Sequence, residues 1–365
     1  MTTRLGSPRS RTHAWLRLVV MVLLAPVLAS CWLSGGSPQP AAGPSTVPGA
    51  VPTPRYVSPS GRDTWPGTEA RPWRTLARAL PALTPGATLY VRGGTYREHL
   101  VRLNVHVGTP AHRILVTAYP GERPVVEGVL WLFRPSYWTI DAINVTWDDS
   151  LKPAPLHMVK VTGGVGWSWQ NSEIWGSKAA ANVLITGYGR TEPSRWRLTG
   201  NCIHDLEPPT RRSANLTIGP MKDAGPGSVT RNLLFNAPGP QNVAFGRPRA
   251  GGPNGVDFSY NTLFGSKVGL AFAGDVRNVT VERNIVAGVT SGLAVRWTVK
   301  KESGNSIRQN LGVDARRFMR PAAELKVGGP GNVLRDDVTF RNTSSCRGFT
   351  STSPATFPYG RGALG

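Results

Sequence analysis

Acidic residues, cysteines and long apolar runs are what this chain of 365 residues has least of. It holds 21 Asp and Glu against 42 Lys and Arg, a formal charge of +21, so its field draws polyanions. Acidic polysaccharide, cell-wall phosphodiester polymer, anionic lipid headgroups and nucleic acid all suit that field; a general arginine-rich bias produces the same surplus with no partner at all. Three cysteines with no Cys-x-x-Cys pair exclude the usual zinc spacings, and no P-loop, dinucleotide fingerprint or nucleic-acid motif is present. The apolar run VVMVLLAPVLA is too short to span a bilayer stably. Beyond residue 55 the chain is mostly short alternating segments broken by Gly, Asn and Pro, which excludes a predominantly helical protein.

The N-terminus has the order of an export signal. Arg4, Arg9, Arg11 and Arg17 precede the apolar run, and small residues and a cysteine follow it. Leu28-Ala29-Ser30-Cys31 resembles the lipobox of bacterial lipoproteins of actinobacterial type; that resemblance implies cleavage before Cys31 and a diacylglyceryl group on its thiol. An ordinary signal peptide with a cysteine nearby is the alternative. Loss of the signal removes four arginines and no acid, leaving about +17. Residues 31–55, with six prolines, four glycines and no acid, form a tether of up to roughly 70 Å in an extended polyproline-like state. The expected location is the outer face of the cell membrane, by lipid anchor only.

What the chain has in quantity is repetition. WSWQNSEIW, WRLTGNCIHD, SVTRNLLFN, DFSYNTLFG, VTVERNIVA, SIRQNLGVD and VTFRNTSS align on Asn171, Asn201, Asn232, Asn261, Asn284, Asn310 and Asn342, a period of about 28 residues. A second phrase keeps the beat, ANVLITG, ANLTIGP, QNVAFGR, VGLAFAG, SGLAVRW and AAELKVG. Its first inward hydrophobe falls at Val183, Leu216, Val243, Leu270, Leu293 and Leu325. Two strands per repeat that cannot bury their apolar faces alone must stack into a solenoid. An asparagine at each strand end then lies ~4.8 Å from its copies, so the seven asparagines form a structural ladder.

The pattern resembles the right-handed, single-stranded parallel β-helix of pectate-lyase-like proteins over residues 56–345, which makes the expected fold all-β. The segment YVSPSGRDTWPGTEARPWRTLARALPALTPGATLYVRGGTYRE is similar to the leading segment of secreted alginate and chondroitin lyase-like β-helix proteins. Within it Trp73, Leu76, Leu80 and Leu83 share one face of a short capping helix, with Pro81 straining its last turn. Trp138, Trp167 and Trp196 recur every 29 residues, each two before a hydrophobe, which places them inside; a sugar-stacking platform is the alternative.

In the second phrase the outward residues are Thr217, Ala244, Ala271 and Ala294, a floor of small side chains. Lys222, Arg247, Arg249, Lys267, Arg296, Lys300 and Lys301 flank it, so an extended anionic chain is the expected ligand. A lyase acting on uronates needs a cation on the carboxylate and a base for the C5 proton, roles that position gives to Lys222, Arg247 and Arg296. A hydrolase needs two carboxylates; Asp148-Asp149 and Asp205-Glu207 beside His204 are the acid clusters near strand ends. The polygalacturonase-type signatures NTD, GHG and RIK are absent. No cofactor or metal is expected, Asp205 and Glu207 being suited at most to weak Ca²⁺ binding. A glycan-binding or purely structural envelope protein on the same scaffold is the alternative to an enzyme, and a monomer is expected. Cys202 and Cys346 fall five rungs, roughly 24 Å, apart, so two free thiols are expected unless the tail 346–365 folds back along the coil.

Overall fold

A computed structural model describes residues 52–150, 157–187, 192–207, 213–221, 225–247, 251–299, 304–320, 331–335 and 346. Cys31 and most of the tether lie outside them, as do Leu325, Asn342 and, apart from Cys346, the tail. Short strands wind one above another, pairing in parallel, into an all-β solenoid with one short helix. Ten strands from Arg55–Val57 to Ser306–Arg308 make one sheet, and a second sheet carries two further columns of strands joined through long strands such as Thr262–Phe272 and Ile285–Trp297.

Alternation along each strand sends every second residue inward, and parallel register piles like on like. Leu89, Val116, Ile140, Trp169, Leu198, Val229, Phe258, Val281 and Ile307 form one such inward column. Trp138, Trp167 and Trp196 are also buried, the last two stacked at 5.4 Å, so they are core rather than platform. The capping segment forms an α-turn at Leu76–Ala79 that tightens into a 3₁₀ turn at Leu80–Ala82, where Pro81 sits. Trp73, Leu76, Leu80 and Leu83 are all buried. The Glu98 carboxylate accepts from the Leu76 and Ala77 amides, satisfying two otherwise orphaned donors.

At each ladder rung the asparagine Oδ1 accepts from the backbone N–H of its counterpart one rung earlier, Asn232 from Asn201, Asn261 from Asn232, Asn284 from Asn261 and Asn310 from Asn284, at 2.8–3.0 Å. In these pairs the later asparagine is the acceptor, and the final described acceptor is Asn332. Asn171 is not a member. It occupies the preceding turn position at φ 54°, the place held by Gly200, Arg231, Tyr260, Arg283 and Gln309 on other rungs, and the amide of Ser172 meets Asn201 instead. Asparagine is at home in that left-handed conformation, which is why the motif is displaced by one residue there. A second ladder, Asn182, Asn215 and Asn242, links the strands of the other phrase at 2.8–2.9 Å.

The cysteines overturn the expectation of two free thiols, not the rung count. Cys202 and Cys346 form a disulfide, with Cα atoms 6.0 Å apart. From Cys202 five parallel pairings lead to Val333–Arg335, yet Cys346 is back at the starting rung. The eleven residues after Arg335 reach ~36 Å when extended, more than the ~24 Å between the two rungs, so the disulfide is within their reach. Cys346 packs on an outward-facing apolar cluster of Cys202, Leu233, Phe235, Phe264, Ile285, Ala287, Leu311 and Val313.

Candidate functional site

The outward column of the strands following the second ladder runs Trp131, Lys160, Leu184, Thr217, Ala244, Ala271 and Arg296. It is apolar and basic at one end, small in the middle and basic again at the other. Two adjoining cavities open along it and share Arg247. The first, of about 460 Å³, is lined by Asn104, Trp131, Phe133, His157, Lys160, Leu184, Thr186, Pro220 and Arg247 among others. The second, of about 250 Å³, lies over Thr217, Gln241, Ala244, Arg247, Ala271 and Arg296. No carboxylate lines either cavity among the described residues.

Strand Val159–Thr162 places Lys160 outward between two inward valines, and its ammonium sits 5.2 Å from the Trp131 ring centroid. Trp131 donates its indole N–H to the His157 carbonyl at 2.9 Å, tying the ring to the segment that leads into that strand. His157 is 93 % removed from solvent, its relative exposure being 7 %, and its Nδ1 has no hydrogen-bond partner. Burial first, then the charges of Arg247 and Lys160, push the imidazole down to about 3, so it is neutral at pH 7. At the far end Arg296 donates to Gln241 Oε1 at 2.6 Å; burial lowers the affinity of its guanidinium for the proton without discharging it.

Of the residues expected from sequence, Thr217, Ala244 and Ala271 line one floor and Arg247 and Arg296 flank it. Ala294 does not. A register shift between Ser266 and Val268 pairs Leu293 with Val268 and Val295 with Leu270, so the outward residue on that rung is Arg296 and Ala294 is buried in the core. On the next rung the partner of Val295 is Met319. Lys267 is exposed and lines neither cavity. Lys222, Arg249, Lys300 and Lys301 lie outside the described residues. His157, Lys160 and Trp131 were not anticipated, although Val-Lys-Val and Leu-Trp-Leu each mark an outward residue between two inward ones.

The acid clusters lie elsewhere. Asp148 pairs with His99 at 2.9 Å; hydrogen bonds from Ser150 and His99 hold its carboxyl down to about 2. Asp149 pairs with Lys178 at 2.6 Å. Asp205 uses one oxygen on His204 Nδ1, 2.8 Å, and the other on Asn236, 2.9 Å, and Glu207 stands 4.0 Å from Lys178. His204 also meets Glu173 at 3.2 Å and stacks between Trp175 and Phe235, beside the disulfide. These carboxylates therefore serve local structure on a different face from the groove. A wider cleft of about 760 Å³ lies near the N-terminal end, but its charged walls neutralise each other, Arg92 pairing with Glu122 at 2.7 Å. The groove is therefore the stronger candidate.

The family described as "Protein of unknown function (DUF1565)" matches residues 59–101, the capping segment and first rungs. Over 74 residues the chain is 42% identical to the uncharacterized protein YwoF of Bacillus subtilis, covering 20% of this chain and 15% of that protein. Over 73 residues it is 36% identical to pectate lyase PEL9 of Emericella nidulans, covering 20% and 18%. The match thus spans less than a fifth of the length of either curated relative. The crystal structure of pectate lyase Pel9A superposes with a TM-score of 0.53 at 16% identity, covering 76% of this chain and 79% of that one. The chain has the pectate-lyase-like parallel β-helix fold.

Proposed function

We propose that this protein engages an acidic polysaccharide along the groove between Trp131 and Arg296 and cleaves it by β-elimination. The observation that carries the reading is the groove's composition: Lys160, Arg247 and Arg296 spaced along it, over large apolar residues at the Trp131 end and small ones beyond, with no carboxylate among the described lining residues. Such a strip suits a chain bearing a negative charge at intervals, because each cation can meet one sugar carboxylate and the floor lets the ring lie close. The acid-free walls also disfavour hydrolysis by a carboxylate pair and the holding of Ca²⁺ by protein carboxylates. The local likeness to a pectate lyase agrees with this reading. Export and a diacylglyceryl anchor on Cys31 would place the groove outside the cell, on a single copy of the chain.

The test is direct. Purified protein is incubated with polygalacturonate, alginate and a glucuronate polymer, and with methyl-esterified polygalacturonate as the charge-free control. Absorbance reports unsaturated product ends, and retardation in polymer-containing gels reports binding. Product from one acidic polymer and none from the ester supports the proposal. Retardation without product leaves a glycan-binding protein, the second reading favoured by the groove, and retardation by none removes both. Detergent-phase partition of cell extracts, lost in Cys31→Ala, tests the anchor.

A further inference from the structure

The cavity at the Trp131 end holds a group whose state is hard to explain in an empty groove. His157 is buried, without a partner for Nδ1, between two cations. A buried polar nitrogen left unpaired costs on the order of 1–3 kcal/mol. The charged and titratable groups facing it are Lys160, three residues along in sequence, and Arg247, from the turn after strand Val243–Phe245; the aromatic wall is Trp131 and Phe133. Among the described residues no carboxylate lines the cavity, although that of Glu192 lies against Gly187, which does. The ring is therefore held neutral in the cavity wall, beside Lys160 and Arg247, where two cations would receive an anion.

We infer that His157 is the proton acceptor of this groove, taking the C5 proton of a uronate whose carboxylate is held by Lys160 and Arg247. The inference rests on the acidic-polysaccharide reading above and adds the identity of the base, a role that position along the chain gives to Lys222, Arg247 or Arg296. Arginine is a poor candidate because its guanidinium stays protonated. In the step itself, the C5–H proton passes to the imidazole and its electron pair becomes the C4–C5 double bond. The C4–O bond to the leaving chain breaks with its pair on oxygen. That oxygen takes a proton from water in the open groove, and the imidazolium proton neutralises the hydroxide left behind, so no redox partner is needed.

The two flanking cations give this base a property that an isolated histidine lacks. While the groove is empty, burial first and then these two charges oppose protonation and keep the ring neutral. When a sugar carboxylate pairs with them, their repulsion is neutralised and the proton affinity of His157 rises, which is what proton abstraction requires. The base is thus strengthened by the substrate's own charge. A neutral or esterified sugar would bind without switching it on.

His157→Gln keeps a polar side chain of similar reach and tests the assignment. With the best acidic polymer, kcat is expected to fall by about 10²-fold or more, the range of general-base catalysis, while gel retardation changes by no more than about threefold. The pH profile supplies a readout that a packing role would not move. In the wild type, kcat/KM, which reports the free enzyme, is expected to keep its value to lower pH than kcat, which reports the bound complex. An unchanged kcat in the variant, or acid limbs that coincide, overturns the inference. If polymers are retarded but none is cleaved, the base assignment falls and polysaccharide binding stands; if none is retarded, both fall. Circular dichroism of the variant separates loss of the base from loss of the fold.

Discussion

Two outward-facing columns of the same large sheet have opposite characters. One carries Leu233, Phe235, Phe264, Ile285, Leu311 and Val313, all buried, with Cys346 packed on the cluster they form. The other carries Lys160, Thr217, Ala244, Ala271 and Arg296 and lies along open cavities. Strand geometry is common to both, so the difference lies in side-chain choice. The large apolar residues on one outer face carry Cys346, whereas the small and basic ones on the other border the cavities.

The comparison is broken most severely by emptying the covered column. Phe235 is stacked between His204 and Phe264 at 4.5 and 5.0 Å, and Phe235→Ala should destabilise the fold by about 3–5 kcal/mol, measured by urea denaturation. Ala244→Gln on the open column should leave the urea midpoint nearly unchanged while abolishing polymer retardation, because it fills the floor without touching the core. Equal losses of stability for the two would remove the distinction.

Cys202→Ser should cost about 2–4 kcal/mol and expose the segment around Cys346 to protease, since it removes the bond that holds Cys346 on the apolar cluster. A lower midpoint without new cleavage would show that the cover is held by packing alone. Acid should act through the open column. His157 is depressed in the folded state, so its contribution is complete above the ordinary histidine value near 6.5 and is lost as pH falls towards about 3. The loss is on the order of 5 kcal/mol across that window and should be much smaller in His157→Gln. The smallest effect belongs to the groove cations. Arg247→Ala should weaken polymer retention by about 10-fold, and added salt should narrow the gap between variant and wild type.

The solenoid was legible because two strands per repeat kept a common beat and their inward residues alternate strictly. Errors arose where one residue type suits two neighbouring places. Asn171 satisfies a left-handed turn as readily as a ladder site, and only the offset of one residue separates them. Ala294 was misplaced because the register shift beyond Ser266 is invisible in a phrase that still alternates. The Trp131 end of the groove was missed because its strands precede the repeated phrase and share its periodicity but not its letters. The disulfide was unreadable from position along the coil, since distance along an axis says nothing once the chain reverses.

The tie between Cys202 and Cys346 also bears on how the molecule comes apart. A wound spring ordinarily unravels from its loose end, coil by coil, and stacked repeats do the same. Here Cys346, eleven residues beyond the last described strand, is pinned to Cys202 in the middle of the stack, so peeling of the terminal coils is restrained while the bond is intact. Breathing at that end is converted into a single larger opening, reached only when the coils between the two cysteines open together.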